Sequence, residues 1–349
     1  MKILIIGDTH FRDNLSYADY VEDRRIPERN EILNFIIDHS NDCDCVVFMG
    51  DFFNSKNNSS ETNRLAVNFL ERFNDKDIYI IAGNHEKKGD GKTAMDFLAE
   101  VKKRNWNIYT KPKSVTISYL DASSLDASKS MKIDFLPYML NSELGTETCE
   151  ESTKKIVESL TGGDILFAHH AISGTTFNGI KTDTLKEVVL PKEVLEQRYK
   201  KLIAGHIHQD QIVDNTLITG SLFTDYVGEV EKFIFKIDDQ FNIEKIKVPA
   251  REIHKVENPT VAKLMSLPAN SIVKAIITDK EIDIDTLKAT LKRFDAHLLI
   301  EDYASERTKM HIEEGAMSFE IESLLKLYSE SKDVDLPKLL KGLQLIQNA

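Results

Sequence analysis

A chain of 349 residues has room for one large domain and a smaller one. Its 41% hydrophobic and 29% charged residues are those of an ordinary globular protein, and no run of about 18 apolar residues offers a membrane span. A formal net charge of −12 argues against nucleic acid when read globally. Two points weaken that argument: carboxylates in a metal site are offset by the cations they hold, and basic residues cluster locally. Arg24, Arg25 and Arg29 lie together early, and Lys87, Lys88 and Lys92 follow later. The three cysteines, Cys43, Cys45 and Cys149, make no disulfide framework and fit a reducing compartment. Cys43 and Cys45 are expected as packing residues at a strand edge. The first residues run straight into an apolar stretch without the pattern of a cleavable leader, so a cytoplasmic location is expected.

In chain order, residues 3–6 open as a buried strand. Residues 30–39 have helical periodicity, residues 46–49 read as a strand, and residues 61–73 as a helix with Leu65, Phe69, Leu70 and Phe73 on one face. A strand at 78–82 and a helix at 93–103 follow. From residue 114 short strands dominate, at 115–120, 131–136, 165–168, 202–204, 217–219, 232–237 and 243–248. The Ser-, Asp- and Ala-rich residues 121–130 read as a loop. The expected fold class is α/β, with two facing sheets and helices outside them. Near residue 250 the character changes. A strand at 271–278, a helix at 286–294 with Asp285 as its N-cap, and a strand at 297–303 make a β-α-β unit. After a polar stretch, residues 319–329 and 336–346 are two short amphipathic helices. The expected division is a large domain over 1–248, a small α/β domain over 249–305, and a linker with a helical tail over 306–349.

Five short blocks carry the chemistry: Gly7 to His10 (G-D-T-H), Met49 to Asp51 (M-G-D), Gly83 to Glu86 (G-N-H-E), Phe167 to His170 (F-A-H-H) and Gly205 to His208 (G-H-I-H). Each follows or closes an apolar run, and six of the ten histidines lie in them. Strand ends in layered α/β folds are where catalytic groups collect. Hydrolysing a phosphodiester at neutral pH needs hydroxide made from water and positive charge on the phosphoryl oxygens. A pair of divalent metals about 3.5–4 Å apart supplies both. Asp8 and His10 sit at alternate positions, so both can point from one strand end toward one site. Asp51 is the natural bridging carboxylate, and Asn84 offers a neutral amide oxygen. His169, His206 and His208 offer imidazoles. One D-x-H or one G-N-H arises by chance in many chains; five blocks in this order, each tied to a strand, do not.

The order D-x-H, G-D, G-N-H-E, H and G-H-x-H resembles the calcineurin-like metallophosphoesterase superfamily over the first two-thirds of the chain. The resemblance implies an αββα sandwich with a two-metal site. Carried over residue by residue, Asp8, His10, Asp51 and His208 would hold one ion, and Asp51, Asn84, His169 and His206 the other. In the pair His169 and His170 the first is the expected ligand, because the family ligand comes directly after the strand. His85 would protonate the leaving oxygen or steady the transition state.

That superfamily includes protein phosphatases, nucleotidases, cyclic-nucleotide phosphodiesterases and nucleases, so its fold alone leaves the substrate open. Three details narrow it: G-D-T-H-F near the start, Gly220-Ser221-Leu222 after the G-H-I-H block, and a β-α-β unit with a helical tail. Together they resemble the nuclease subunit of the SbcCD type. This implies a DNA exonuclease and endonuclease using two divalent ions, Mn(II), in recombination and repair. It also implies that 249–305 is a capping domain and that the helices of 306–349 bind the coiled-coil base of an SbcC-type ABC ATPase. Arg24, Arg25, Lys87 and Lys88 are expected to contact DNA. A homodimer is expected through the stripes Leu65, Phe69, Phe73 and Met95, Leu98, Val101, unless these face the chain's own sheet. The tail helices could likewise fold back on the capping domain. The alternative function is a calcineurin-like phosphatase or phosphodiesterase acting on a small phosphate ester or a phosphoprotein. A non-catalytic scaffold would have lost ligands, and none is lost here.

Overall fold

Strict alternation of apolar side chains along the strands sets the layers. A computed structural model describes residues 1–301, apart from 22–23, 75, 89–90, 102, 121–127, 230 and 295. Two six-stranded sheets face each other. The first runs in the order Ile243–Lys247, Phe233–Asp238, Lys2–Ile6, Cys45–Phe48, Asp77–Ile81, Trp106–Tyr109. Its last four members are parallel, and the first two add antiparallel. The second runs Gln211–Val213, Thr216–Ile218, Tyr199–Ala204, Gly163–Ala168, Ser128–Leu136, Lys113–Leu120, with a parallel centre and antiparallel edges.

Because side chains alternate across a strand, Ile3, Ile5, Val47, Tyr79 and Ile81 enter the space between the sheets, where they meet Ile133, Phe135, Ile165, Phe167 and Ile203. Leu4, Ile6, Phe48 and Ile80 point the other way, onto helices Ile26–Ser40 and Ser60–Glu71. On the far side Leu166, Ala168, Leu202 and Ala204 pack on Ile156 and Leu195 of helices Cys149–Ser159 and Lys192–Glu196. The result is the expected α/β sandwich of four layers, αββα.

Local chemistry explains the boundaries. Pro27 sits in the first turn of Ile26–Ser40, where its missing N–H is harmless. Ser59 caps Ser60–Glu71 by accepting from the Thr62 N–H at 3.0 Å. The helix expected over 93–103 shrinks to Asp96–Glu100, because Thr93 bridges to Lys87 and the Ala94 N–H donates to Glu86 O. Strand Ser128–Leu136 begins inside the stretch expected as loop. The stripes that suggested a dimer face inward: Phe69, Phe73, Met95 and Leu98 are buried in the chain's own core, Leu65 packs against it, and Val101 is exposed.

The smaller unit is β-α-β-α-β, one strand and one helix more than the sequence suggested. Parallel strands Ile253–Glu257, Ile272–Ile277 and Ala296–Glu301 carry helices Val261–Met265 and Ile284–Leu291. The second helix is capped by Asp283, not Asp285; its carboxylate accepts from the N–H groups of Asp285 and Thr286, both at 3.1 Å. Ile253, Ile272 and Ala296 pack on Val21 and Tyr17 of the large domain. Residues 302–349, with the expected tail helices and the end of the expected capping domain, lie outside the described residues. Among the described residues no helix is long and apolar enough to cross a membrane.

Two of the four cations expected at DNA are interior instead. Arg25 is fully buried. Its Nε and Nη2 donate to both oxygens of Glu28 at 2.7 Å, and its Nη1 reaches Ser16 O at 2.7 Å and Thr224 O at 3.0 Å. Glu28 Oε1 also accepts from the Arg251 N–H at 3.0 Å, at the entry to the smaller unit. Lys87 is buried against Glu143, with Nζ to carboxylate distances of 2.9 and 3.0 Å. Arg24 and Lys88 are exposed. Truncation of Arg25 strands a buried carboxylate. Arg25→Ala is therefore expected to lower the unfolding free energy by about 3–5 kcal/mol, whereas Arg24→Ala should stay within about 0.5 kcal/mol. Equilibrium urea denaturation of the two variants checks this.

Candidate metal centre

All five blocks land at one end of the sandwich, just past the carboxyl ends of parallel strands. Asp8, Asp51 and Asn84 follow Lys2–Ile6, Cys45–Phe48 and Asp77–Ile81 of the first sheet. His169 and His206 follow Gly163–Ala168 and Tyr199–Ala204 of the second. His10, Asp51 and His206 have positive φ angles of 47°, 42° and 85°. Such conformations in non-glycine residues cost roughly 1–3 kcal/mol each and gather where function needs them. Two glycines allow the loops to close. A Cβ on Gly50 would lie 2.1 Å from His169 Nδ1, and one on Gly83 would lie 2.1 Å from Asp51 Oδ1.

The seven expected ligand residues meet in two groups that share Asp51. His169 Nε2 lies 3.3 Å from Asp51 Oδ2 and 3.2 Å from Asn84 Oδ1, and His206 Nδ1 lies 3.0 Å from the same Asn84 oxygen. His10 Nε2 and His208 Nε2 face each other at 3.0 Å, with Asp51 Oδ2 4.0 Å from the first and Asp8 Oδ2 3.9 Å from the second. Two imidazole nitrogens turned onto each other beside buried carboxylates form a donor set suited to cations. Imidazole, amide oxygen and carboxylate together accommodate divalent first-row ions. His170, next in the chain, is left out of the cluster; its ring stacks on Tyr138 at 5.0 Å.

The electrostatics have the same origin. Burial alone would raise the Asp51 carboxyl, but His169, His10 and His85 hold it below the usual carboxylate range. Burial raises Asp8, and the charge on Asp51 adds to that while His169 opposes it. Burial lowers His10 to about 3. Burial also opposes charge on His169, yet Asp51 and Asp8 together raise it to about 10. Without a cation, the positive charge that these two carboxylates call for falls on His169; a cation bound there would take that role and require the ring nitrogen that faces it to be deprotonated.

His85 is differently placed. Its N–H donates to Asp51 Oδ1 at 2.9 Å, and its Nδ1 lies 2.9 Å from Asn54 O. A carbonyl can only accept, so Nδ1 carries the proton and Nε2, 3.9 Å from Asp51 Oδ2, faces the cluster. The Asn54 side chain is held by Arg12 Nη1 at 2.7 Å, and Arg12 pairs with Asp225. Beside the site opens a cleft of about 860 Å³ bordered by Asn84, His85, His206 and His208.

Three carboxylates escaped the sequence reading. Glu86 is fully buried, and its two oxygens accept from the N–H groups of Phe53 and Gly83, both at 2.6 Å. It clasps the loop of Asp51 to the loop of Asn84. Burial and the charge on Asp51 raise it to about 8. The signal was its place in the G-N-H-E block. Glu187 Oε2 lies 2.9 Å from His206 Nε2, and Glu229 Oε1 lies 3.6 Å from His208 Nδ1. Such partners orient ligating imidazoles; nothing in the local sequence marks them. Glu86→Ala leaves two buried N–H groups unsatisfied, each worth about 1–3 kcal/mol. The variant is expected to unfold at lower urea and, with its two loops uncoupled, to bind Mn(II) more weakly by titration calorimetry. Glu86→Gln, which keeps one acceptor oxygen, should recover part of both.

The calcineurin-like phosphoesterase family profile matches residues 1–210. No curated protein matches the chain. Among solved structures, a novel archaeal phosphodiesterase is 14% identical, with 71% of this chain and 100% of that one covered and a TM-score of 0.32. A single mutant of Vps29 from Entamoeba histolytica is 11% identical, with 71% and 99% covered and a TM-score of 0.29. The profile match spans more than half of the sequence, and the chain belongs to the calcineurin-like phosphoesterases, metal-dependent hydrolases of phosphoesters.

Proposed function

We propose that this phosphoesterase is the nuclease subunit of an SbcCD-type complex, a DNA exonuclease and endonuclease acting in recombination and repair. The observation that carries the reading is the parallel β-α-β-α-β unit fixed beside the active-site end. Arg251 at its entry is tied through Glu28 and Arg25 to Thr224, next to the cleft-lining Tyr226. A body in that position fits the role of a cap over a long substrate. Asp8, His10 and His208 would hold one Mn(II) ion, Asn84, His169 and His206 the other, and Asp51 both. The ions supply the nucleophile and neutralise the phosphoryl oxygens. His85 presents Nε2 to the cluster; in the doubly protonated ring, Nδ1–H stays on Asn54 O and Nε2–H is the proton given to the leaving oxygen, which returns the ring to its neutral form. Arg24 and Lys88 are the exposed cations for the DNA backbone. Residues 306–349 would bind the coiled coil of the ABC-type ATPase. In this reading the subunit pairs as a homodimer through surfaces other than the two inward-facing stripes.

One observation favours the second reading, a phosphatase or phosphodiesterase acting on a small ester or a phosphoprotein. The cleft lining carries Glu187, Asp210, Glu229 and Glu231 against Lys186, Lys232 and Lys245, and this excess of carboxylate disfavours a long polyanion. Cleavage of linear and circular DNA, set against p-nitrophenyl phosphate, separates the two. A chain that turns over only the small ester ends the nuclease reading.

His85→Ala is expected to keep its metal content and lose about 100- to 10,000-fold in rate, with activity of the parent abolished by chelator. Metal analysis together with initial rates decides the role of His85. Deleting 315–349 is expected to leave metal content intact and to abolish co-purification with the ATPase.

A further inference from the structure

Exposed apolar side chains are ordinary when scattered. Here three of them gather. Tyr226, Val227 and Phe177, exposed by 61%, 37% and 39%, all border the cleft beside the metal cluster. The Tyr226 ring lies 5.9 Å from that of His208, tilted by 30°.

Both aromatic lips are held rigidly. The N–H groups of Asp225 and Tyr226 donate to Glu229 Oε2 at 2.8 and 3.2 Å. Asp225 pairs with Arg12, and Thr224 O accepts from buried Arg25. Phe177, also in the cleft lining, sits on the hairpin Thr176–Phe177 and Ile180–Lys181. Its two-residue turn, Asn178-Gly179, has φ angles of 49° and 80°, as such hairpins require. Gln211 anchors the hairpin to the edge of the second sheet, with Oε1 accepting from Thr176 N at 2.9 Å and Nε2 donating to Thr176 O at 2.7 Å. The backbone that carries each ring therefore needs little further ordering on binding.

We infer that Tyr226, with Phe177 elsewhere on the same cleft wall, forms a stacking subsite for an unpaired nucleobase next to the scissile phosphate. This rests on the nuclease reading and adds what the enzyme recognises. A group bound here adjoins a phosphoester at the cluster. Much of the charge on the cleft wall is already paired, Glu229 with Lys232, Asp210 with Lys245 and Glu231 with Lys247, so what the wall offers unpaired beside the cluster is the apolar surface of Tyr226 and Phe177, suited to a neutral aromatic base. Only a base outside the duplex stack can offer its faces to side chains, so the subsite selects single strands and frayed ends.

The test uses the full-length protein with Mn(II) and two labelled single-stranded oligonucleotides of equal length. One carries all its bases, and the other has abasic residues across the cleavage position. The base-bearing strand is expected to be cleaved with a kcat/KM roughly 5- to 150-fold higher, the range for stacking one base. Tyr226→Ala should bring that ratio close to one, and Tyr226→Trp should restore it; metal content of each variant reports its folding. A parent enzyme that cleaves both strands equally overturns the subsite and leaves the nuclease reading standing. So does a Tyr226→Ala variant that keeps the preference. A parent that cleaves neither strand yet hydrolyses p-nitrophenyl phosphate overturns both.

Discussion

Asp51 is the residue on which the two halves of the centre depend. Its side chain is nearly inaccessible, and its backbone is held in the left-handed region. One carboxylate oxygen accepts from the His85 N–H, and the other faces His169 and His10. Its carbonyl accepts from the His10 N–H at 2.8 Å. One short loop thus fixes His85, a histidine of the other sheet and the block nearest the start. Gly50 and Gly83 exist in this arrangement because any side chain there would displace the groups that Asp51 gathers. Glu86 completes the clasp from beneath, so a buried acid that touches no substrate sets the distance between two ligand loops.

Much of this was legible because it is local. An apolar run followed by Asp-x-His or Gly-Asn-His announces a strand end and its cargo, and the unbroken run Ile3, Leu4, Ile5 and Ile6 announces a strand buried on both faces. What failed depended on tertiary partners. The helix Cys149–Ser159 is mostly polar, with only Ile156 and Val157 as buried apolar residues, and so little apolar content hid it. Residues 93–103 look helical throughout, but Thr93 and Ala94 serve the G-N-H-E loop instead. Arg25 and Lys87 read as surface charge until Glu28 and Glu143 are found beside them. Glu187 lies 19 residues before the histidine it supports, in a loop whose course no local pattern dictates.

The electrostatic character of the centre follows from its depth. Buried carboxylates and imidazoles can share so small a volume only by exchanging charge among themselves or with cations. Without a cation, neighbours of opposite type favour the ionised form of Asp51 and the protonated form of His169, while burial keeps His10 neutral; a bound cation would replace the proton on His169. Farther out, Glu187 and Glu229 face the outward nitrogens of His206 and His208, so the same imidazoles have an anionic partner on their other side. The acidic cleft is in part the visible edge of that support.

The position of the first strand has a consequence for synthesis. Lys2–Ile6 lies in the interior of its sheet, with Ile3 opposite Ile237 on one side and Cys45 on the other. Asp8 gives its N–H to Gly220 O and takes the N–H of Leu222. During synthesis one edge of this strand can pair early with Cys45–Phe48, but the other stays open until its partner more than two hundred residues later has left the ribosome. Contacts of such separation form slowly and leave unpaired edges open to wrong partners. The strands Ile253–Glu257, Ile272–Ile277 and Ala296–Glu301, by contrast, pair in the order in which they are made.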